Sequence, residues 1–165
     1  MPTVLTLPEL TTVCDNAIDA LRSGDDLAFS MYSLLYNTGL RSVEVLDITR
    51  WTNLGTGYWR VQLAKREYTR DIDESLIEAN LKAYYTNALQ NALYTYSFLE
   101  CRIAGVTPVI KDGILRMRRT THLFRYRFIR QLHADGLTDA AIQAIMGQKN
   151  LSSTQGYINR NLWLY

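Results

Sequence analysis

The segment Gly147-Gln148-Lys149-Asn150-Leu151-Ser152-Ser153-Thr154-Gln155-Gly156-Tyr157 is the most informative part of this chain. Two other segments precede it, Thr38-Gly39-Leu40-Arg41-Ser42-Val43-Glu44 and His122-Leu123-Phe124-Arg125. Together the three segments supply two arginines, a histidine and a late tyrosine. Two guanidiniums can hold a phosphodiester, and a phenol can attack its phosphorus. The combination therefore indicates phosphodiester chemistry at a single site.

Size and composition are those of one globular domain. The chain has 165 residues, of which 47% are hydrophobic and 21% are charged, and this suits one domain with one core. It has no apolar run long enough to span a membrane and no secretory signal pattern at its start. Cys14 and Cys101 are isolated in the sequence, and we expect both to be reduced core thiols. These features predict a protein of the reducing cytoplasm.

The charge distribution is more informative than the net charge of +2. Residues 1–50 contain seven acids and three bases, which sum to −4, whereas residues 51–165 contain nine acids and fifteen bases, which sum to +6. The densest basic region, 111–130, contains seven bases and one acid, Asp112. A solvated helix face is the alternative, but local basic clustering favours a polyanion such as nucleic acid. Its arginines Arg116, Arg118 and Arg119 are candidate phosphate contacts.

Hydrophobic periodicity predicts helices in the first half of the chain. Thr6-Leu7-Pro8-Glu9 is a capping box that opens an amphipathic helix over roughly 7–22. A mostly apolar, central helix is expected over 27–38 and ends at Gly39, and Arg41 opens a short helix over about 41–48. The region 73–99 is predicted to be helical, with room for a break inside it. No element is predicted for 109–119.

Three further helices are expected after residue 119. Thr120 or Thr121 is predicted to cap a helix that runs to about Ala134 and closes at Gly136. Thr138 caps the next helix, which closes at Gly147. Ser152 or Ser153 begins a last short helix that carries Tyr157.

Between residues 51 and 72 the pattern changes to that of strands. Residues 58–63 alternate in the strand manner and can pair with 68–72 across a turn near Lys65-Arg66-Glu67. We therefore expect an antiparallel sheet of two or three strands. The predicted fold class is mainly α with a small antiparallel β-sheet, an α+β fold in one domain.

Arg41 and Arg125 are the candidates for phosphate binding, because guanidinium groups stay charged and their forks match phosphate oxygens. Glu44 lies one helical turn from Arg41 and can hold its guanidinium in place. The alternative for Arg41 is a surface arginine at a helix start. That alternative is weakened because positive charge is unfavourable at a helix N-terminus unless an anion binds there.

Three more residues complete the candidate set. His122 lies three residues before Arg125 on the same helix face, and its imidazole could accept the tyrosine proton or bind a phosphate oxygen. Lys65, at a hairpin turn, is a cation that could protonate the leaving oxygen, although most such lysines are only solvated. Tyr157 is one of eleven tyrosines, so composition alone does not select it as the nucleophile.

These segments resemble the catalytic domain of the tyrosine recombinases, the phage-integrase family. The segment 38–46 is similar to the first arginine box of that family, and 61–65 is similar to its catalytic-lysine turn. His122-Leu123-Phe124-Arg125 resembles the histidine-x-x-arginine box, and 146–157 resembles the box that ends in the nucleophilic tyrosine. Residues 5–10 are similar to the usual start of the domain. The resemblance covers almost the whole chain, with four boxes in order at the proper spacing.

The resemblance implies a site-specific recombinase or integrase that cleaves duplex DNA through a covalent 3′-phosphotyrosyl intermediate, without a metal ion or another cofactor. It implies that the catalytic residues are Arg41, Lys65, His122, Arg125, Gln148 and Tyr157, with Glu44 in support. Gln148 departs from the family, which usually has histidine or tryptophan there; an amide can donate to a phosphate oxygen but cannot titrate near neutrality. Tyr126 also departs, since the family often has histidine at that position.

The resemblance also implies a wider architecture. Family members commonly carry an N-terminal core-binding domain, and here we expect the catalytic domain alone, as an excised fragment or a naturally minimal enzyme. They act as tetramers on paired sites, and a lone catalytic domain could be monomeric off DNA. The C-terminal segment 161–165 could dock on a neighbouring protomer or fold on its own core.

Two other functions fit the sequence less well. The first is a DNA-binding module without catalysis, in which the helices after residue 119 form a helix-turn-helix or the chain is a recombinase relic impaired by Gln148. Its reading helix, 139–146, has no base and so suits DNA recognition poorly. The second is a type IB topoisomerase, which uses similar chemistry.

Overall fold

The structure, a computed structural model, describes residues 3–19, 21, 26–64, 68–86, 121–148, 150–160 and 162–164. Its helices are α1 to α7 in chain order: α1 (Leu7–Asp19), α2 (Asp26–Thr38), α3 (Ser42–Leu46), α4 (Ala79–Thr86), α5 (His122–Ala134), α6 (Asp139–Met146) and α7 (Leu151–Asn159). Its strands are β1 (Thr3–Val4), β2 (Trp51–Asn53), β3 (Tyr58–Gln62), β4 (Thr69–Asp73) and β5 (Trp163–Leu164). The predicted fold class is therefore confirmed.

Helix α1 begins as predicted and ends earlier. The Glu9 carboxylate accepts from the Thr6 backbone N–H at 3.1 Å, and the Thr6 hydroxyl accepts from the Glu9 N–H at 3.4 Å, which forms the capping box. The end predicted near residue 22 is wrong, because the helix stops at Asp19 and Leu21 lies in a turn. The Leu21 N–H donates to the Ile18 carbonyl at 3.0 Å, which is the tighter three-residue spacing typical of a helix end.

Helix α2 is the central helix, as its apolar sequence predicts. Met31, Tyr32, Leu34 and Leu35 have no exposed surface. Gly39 follows the helix at φ +68°, a conformation that favours glycine. A Cβ at this position would lie 2.6 Å from the Phe128 ring, so glycine is also required for close packing of α2 on α5. The chain then enters α3 at Ser42, one residue later than predicted.

The sheet has three antiparallel strands in the order β2-β3-β4. Strands β3 and β4 pair with Trp59 opposite Ile72 and Val61 opposite Arg70. Trp59, Val61 and Ile72 are buried on the inner face. The predicted hairpin is thus confirmed, although its turn, 65–67, lies outside the described residues.

The helix predicted over 73–99 begins later than expected. Asp73 is the last residue of β4, and its carboxylate accepts from the Ser75 N–H at 2.9 Å, which starts a 3₁₀ turn over Glu74–Leu76. Helix α4 follows, and residues 87–99 lie outside the described residues, as does 109–119. The hydroxyls of Tyr84 and Tyr85 donate to the carbonyls of Leu46 at 2.8 Å and Val45 at 2.7 Å. Helix α4 therefore anchors the C-terminal end of α3.

The last three helices follow the sequence prediction closely. Thr138 caps α6 by accepting from the Ala141 N–H at 3.1 Å, and Gly147 closes it at φ +64°. Helix α7 starts at Leu151 rather than at Ser152 or Ser153, because Asn150 is the capping residue and accepts from the Ser153 N–H at 3.1 Å. Thr121 precedes α5 but makes no capping hydrogen bond.

The two ends of the described chain meet. Strand β1 pairs with β5, with Val4 opposite Trp163, and the Leu5 N–H donates to the Leu162 carbonyl at 2.7 Å. Leu5 and Leu162 are both buried. The described part of the C-terminal segment, 162–164, is therefore folded on the core of its own chain. In the part of the chain that is described, no helix is long and apolar enough to cross a bilayer.

Candidate active site

Arg41 and Glu44 meet at the start of α3. Arg41 is the N-cap residue, and its backbone N–H donates to Glu44 Oε1 at 2.7 Å. Its guanidinium lies 3.5 Å from Glu44 Oε2. The Glu44 side chain is fully buried, whereas 16% of the Arg41 side chain remains exposed. A buried carboxylate thus holds Arg41 at a helix N-terminus and leaves part of its guanidinium open.

Glu44 also fixes the end of the sheet. Its Oε2 accepts from the Ala64 N–H at 2.8 Å, just after the Leu63 backbone closes the β3–β4 ladder with Tyr68. One carboxylate therefore connects α3 with the residue that precedes Lys65. Lys65 itself, a predicted catalytic residue, lies outside the described residues.

Arg125 lies on α5 and is almost completely buried, with 1% of its surface exposed. Its Nη1 donates to the Gly39 carbonyl at 2.8 Å. Its Nε and Nη2 are buried and make no hydrogen bond within the described part of the chain. Burial lowers the pKa of the Arg125 guanidinium, and the nearby Tyr157 phenol opposes that shift while Arg41 adds to it. An unpaired, buried guanidinium edge is costly unless an anion occupies it in the working state.

Arg70 is a third guanidinium beside Arg125, and no sequence motif indicated it. It lies on β4, and its Nη1 donates to the Thr38 carbonyl at 2.8 Å. Burial and the nearby Arg125 charge together lower its pKa to about 10, with the Glu44 carboxylate acting in the opposite direction. A signal was present in the sequence: Arg70 and the buried Ile72 are two residues apart, so a strand directs both side chains to the same face.

His122 is the first residue of α5 and is half-buried, three residues before Arg125. The preceding Thr121 is buried, and its hydroxyl donates to the Ser42 hydroxyl at 3.4 Å. Thr121 therefore occupies the predicted capping position, but its hydroxyl makes no capping hydrogen bond and connects α5 with α3 instead. The other candidate, Thr120, lies outside the described residues. The contact between Thr121 and Ser42 places the starts of the two arginine-bearing helices side by side.

Gln148 is 8% exposed and follows the Gly147 turn. Its Oε1 accepts from the Thr154 hydroxyl, which lies on α7 and is fully buried. The same amide carries a buried donor, Nε2, that makes no hydrogen bond among the described residues. The Thr154 contact fixes the orientation of the amide, so its free edge is the N–H donor.

Gly147 lets the end of α6 pack against the sheet. A Cβ there would lie 2.4 Å from the Leu63 side chain and 3.4 Å from Tyr68 Cβ. The end of α6 and the end of β3 are therefore in direct contact. This contact brings Gln148 toward Arg41.

Tyr157 lies on α7 and faces α5. The Arg125 guanidinium carbon is 5.3 Å from the centre of the Tyr157 ring. The Tyr126 ring is 4.7 Å from it, centre to centre, at an interplanar angle of 56°. Both arginine and phenol belong to one chain, so the described structure brings the predicted nucleophile to a predicted phosphate ligand.

Part of this site opens to one cleft of about 660 Å³. Arg41, Gln148 and Tyr157 all line it. Tyr68 and Tyr126 add two more phenols to its walls. Phenol rings can stack on other rings while their hydroxyls form hydrogen bonds. Among the described residues, no group of three His, Cys, Asp or Glu side chains is arranged to bind a metal ion.

Several residues singled out from the sequence lie outside the described residues. They are Arg116, Arg118, Arg119 and Cys101. Cys14 is described, and it is a buried free thiol, as expected. Burial raises the pKa of Cys14 to about 12, with Arg127 opposing the shift. The thiol is therefore a core group.

Two solved structures share this fold. The crystal structure of XerA recombinase aligns with a TM-score of 0.60 at 20% sequence identity, over 98% of this chain and 60% of that chain. The crystal structure of XerH site-specific recombinase bound to difH substrate, a pre-cleavage complex, aligns with a TM-score of 0.61 at 19% identity, over 97% of this chain and 51% of that chain. The sequence matches no protein-family model and no curated protein.

These alignments confirm the resemblance at the level of the fold. The chain has the fold of the catalytic domain of tyrosine recombinases, mostly helical with a small three-stranded antiparallel sheet. It spans about half to three fifths of the length of the two recombinases. The positions of its arginines and tyrosine within that fold are the basis for assigning a function.

Proposed function

We propose that this chain is the catalytic domain of a site-specific DNA recombinase that cuts and rejoins duplex DNA through a 3′-phosphotyrosyl bond to Tyr157. One observation carries the proposal: the Tyr157 ring lies 5.3 Å from the guanidinium of Arg125, in a chain whose Arg41 and Tyr157 line the same cleft. A phenol beside two guanidiniums is suited to attack on a phosphodiester.

The charge of the site supports this chemistry. Arg41, Arg70 and Arg125 carry three positive charges, and Glu44 supplies one negative charge among them. The net charge of these four groups is +2. It can neutralise a phosphodiester, which carries more negative charge in the transition state of nucleophilic attack than in its ground state. Positioning and electrostatic stabilisation account for most of the catalysis of such reactions.

The proposed step is a transesterification. The Tyr157 oxygen loses its proton and bonds to phosphorus, the bond from phosphorus to the 5′ oxygen breaks, and that oxygen takes up a proton. The energy of the ester is retained in the phosphotyrosyl bond, so a 5′ hydroxyl of a second strand reverses the step. No oxidant, nucleotide or metal ion enters this balance.

We assign the remaining roles from geometry for Gln148, Arg125 and Glu44, from the resemblance for Lys65, and from local basic clustering for the three arginines of 116–119. Gln148 Nε2 and the Nε and Nη2 of Arg125, which have no hydrogen-bond partner among the described residues, would bind the non-bridging oxygens. His122, on the same helix as Arg125, would accept the phenol proton or bind an oxygen. Lys65 would protonate the leaving 5′ oxygen, and Arg116, Arg118 and Arg119 would contact flanking phosphates. Glu44 holds Arg41 from behind.

The partner we propose is a duplex recombination site. On paired sites the chain would act as a homo-tetramer, and without DNA it would be a monomer. DNA as partner has support from the XerH site-specific recombinase, whose structure contains its difH substrate. In this proposal, a core-binding domain either belongs to a longer natural chain or is not needed for cleavage.

A trapping experiment tests the function. A duplex nicked near the cleavage position loses its 5′ hydroxyl strand after cutting, so a covalent protein–DNA adduct accumulates. The target sequence is first selected from a random duplex library by binding to the purified protein. We expect an adduct with the natural chain and none with Tyr157→Phe at equal DNA affinity. An adduct that persists in Tyr157→Phe excludes Tyr157 as the nucleophile, and binding with no adduct for any nicked design favours a binding module.

A further inference from the structure

Arg130 holds the C-terminal end of the helix that carries Tyr157. Its Nε donates to the Tyr157 carbonyl at 2.9 Å, and its Nη2 donates to the Arg160 carbonyl. The Tyr157 carbonyl belongs to the last turn of α7, where carbonyl groups lack partners inside the helix. A cation at this end is favourable, because the last carbonyls carry partial negative charge.

Arg130 also contacts the residue that packs on the Tyr157 ring. Its guanidinium carbon lies 5.3 Å from the centre of the Tyr126 ring. Tyr126 and Arg130 are four residues apart on α5, so they share one face of that helix. The Tyr126 ring in turn lies 4.7 Å from the Tyr157 ring. One guanidinium thus touches both the backbone of the Tyr157 helix and the ring beside its phenol.

The burial of Arg130 and the nature of its partners indicate a role beyond surface packing. Arg130 is half-buried, and among the ion pairs of the described residues it has no carboxylate partner. Burial lowers its pKa, and Tyr126 opposes the shift. Among the described residues, the partners that offset the desolvation of Arg130 are the Tyr157 and Arg160 carbonyls and the Tyr126 ring.

We propose that Arg130 is a positioning residue for the Tyr157 phenol, a role that rests on the proposed recombinase function. By fixing the end of α7 and the Tyr126 ring together, it directs the phenol toward Arg125 of the same chain. It does not contact the reacting phosphate. Its removal should therefore slow cleavage without weakening the binding of DNA.

The chain offers a matched control in Arg127, three residues earlier on the same helix. The Arg127 Nη1 donates to the Tyr36 carbonyl at 2.8 Å, and its guanidinium carbon lies 3.6 Å from the centre of the Tyr36 ring. It makes the same two kinds of contact as Arg130, but both are with Tyr36 of α2, whereas Arg130 contacts the end of α7 and the Tyr126 ring of α5. Loss of Arg127 therefore removes a comparable interaction that does not involve α7.

The test compares Arg130→Gln and Arg127→Gln with the natural chain. Hydrogen exchange of the amides in 151–160 is measured on the free proteins, and the adduct rate is measured on the nicked duplex at saturating protein. We expect Arg130→Gln to speed exchange in 151–160 by about tenfold and to slow adduct formation by on the order of 10- to 100-fold. DNA affinity should stay within about twofold, and Arg127→Gln should change neither exchange in 151–160 nor the adduct rate.

The outcomes separate the two proposals. If the natural chain forms no adduct, the recombinase function fails, and the exchange data still decide whether Arg130 restrains α7. If the natural chain forms an adduct and Arg130→Gln matches Arg127→Gln in both measurements, the positioning role is wrong. A loss of DNA affinity equal to the loss of cleavage would also overturn it, because Arg130 would then act in binding.

Discussion

Arg70 and Arg125 donate hydrogen bonds to the carbonyls of two consecutive residues, Thr38 and Gly39, each at 2.8 Å. A strand and a helix that are far apart in sequence therefore place two guanidiniums at the C-terminal end of α2. The partial negative charge of those carbonyls stabilises both cations. Their mutual repulsion lowers the pKa of Arg70 in addition to burial. An anion bound between them would relieve that repulsion.

We expect Arg70→Gln to weaken phosphate binding. Removal of one guanidinium next to Arg125 should lower DNA affinity by roughly tenfold and reduce the adduct rate further. Fluorescence anisotropy with labelled duplex and the adduct assay measure the two effects. Arg60→Gln is the control, since Arg60 lies on β3, is exposed and pairs with Asp71. Equal DNA affinities of the two variants would show that Arg70 does not bind the phosphate.

Loss of the buried Glu44 charge should destabilise the domain. Glu44→Gln leaves Arg41 without its carboxylate, and one amide oxygen must replace the acceptors for the Arg41 and Ala64 N–H groups. Breaking a buried pair on one side costs on the order of 3 kcal/mol. Urea unfolding measures the change in the free energy of unfolding. A loss below about 0.5 kcal/mol, typical of surface positions, would show that Glu44 is not structurally required.

Gly39→Ala should be costly because of both conformation and packing. Its φ of +68° disfavours a side chain, and a Cβ would overlap the Phe128 ring at 2.6 Å. The matched variant is Gly57→Ala, at φ +89° with no atom within 4 Å of the new Cβ. We expect both to lose stability in urea unfolding, with Gly39→Ala losing about 1–3 kcal/mol more. Equal losses would mean that Phe128 moves aside without cost.

Tyr157 should act with the arginines of its own chain. Mixing Tyr157→Phe with Arg41→Gln combines intact arginines in one protein with an intact phenol in the other. Since Tyr157 already lies 5.3 Å from its own Arg125, we expect the mixture to form no more adduct than the separate variants. Recovery of adduct in the mixture, carried by the Arg41→Gln protein, would show that the phenol is exchanged between chains.

Stability should fall at alkaline pH because of Tyr85. Burial raises the pKa of Tyr85 well above its usual value, and its hydroxyl donates to the Val45 carbonyl. The unfolded phenol ionises near pH 10 while the folded one stays protonated. This contribution is therefore complete below about pH 10 and is lost as the pH rises toward the folded-state pKa. In urea unfolding from pH 9 to 11, the free energy of unfolding should fall less for Tyr85→Phe than for the natural chain. Tyr58→Phe, at an exposed position, should behave like the natural chain. The same dependence on pH in all three proteins would show that Tyr85 does not cause the alkaline loss.

The sequence by itself determined the local elements and the candidate set. Capping residues such as Thr6 and Thr138, and glycines such as Gly39 and Gly147, act on their own neighbours, so their effects are visible in a short segment. The spacing of apolar residues gave the helices and the hairpin for the same reason. The Arg41, Arg125 and Tyr157 positions followed from motifs of only a few residues each.

Only the tertiary structure decided which side chains meet. Arg70, Tyr126 and Arg130 were not selected as site residues, because their partners are the Thr38 carbonyl, the Tyr157 ring and the Tyr157 carbonyl, tens of residues away in the chain. Thr121 was expected to cap a helix and instead contacts Ser42, 79 positions earlier. A local pattern specifies a helix. Which acceptor a guanidinium or a hydroxyl then contacts depends on the packing of the whole domain.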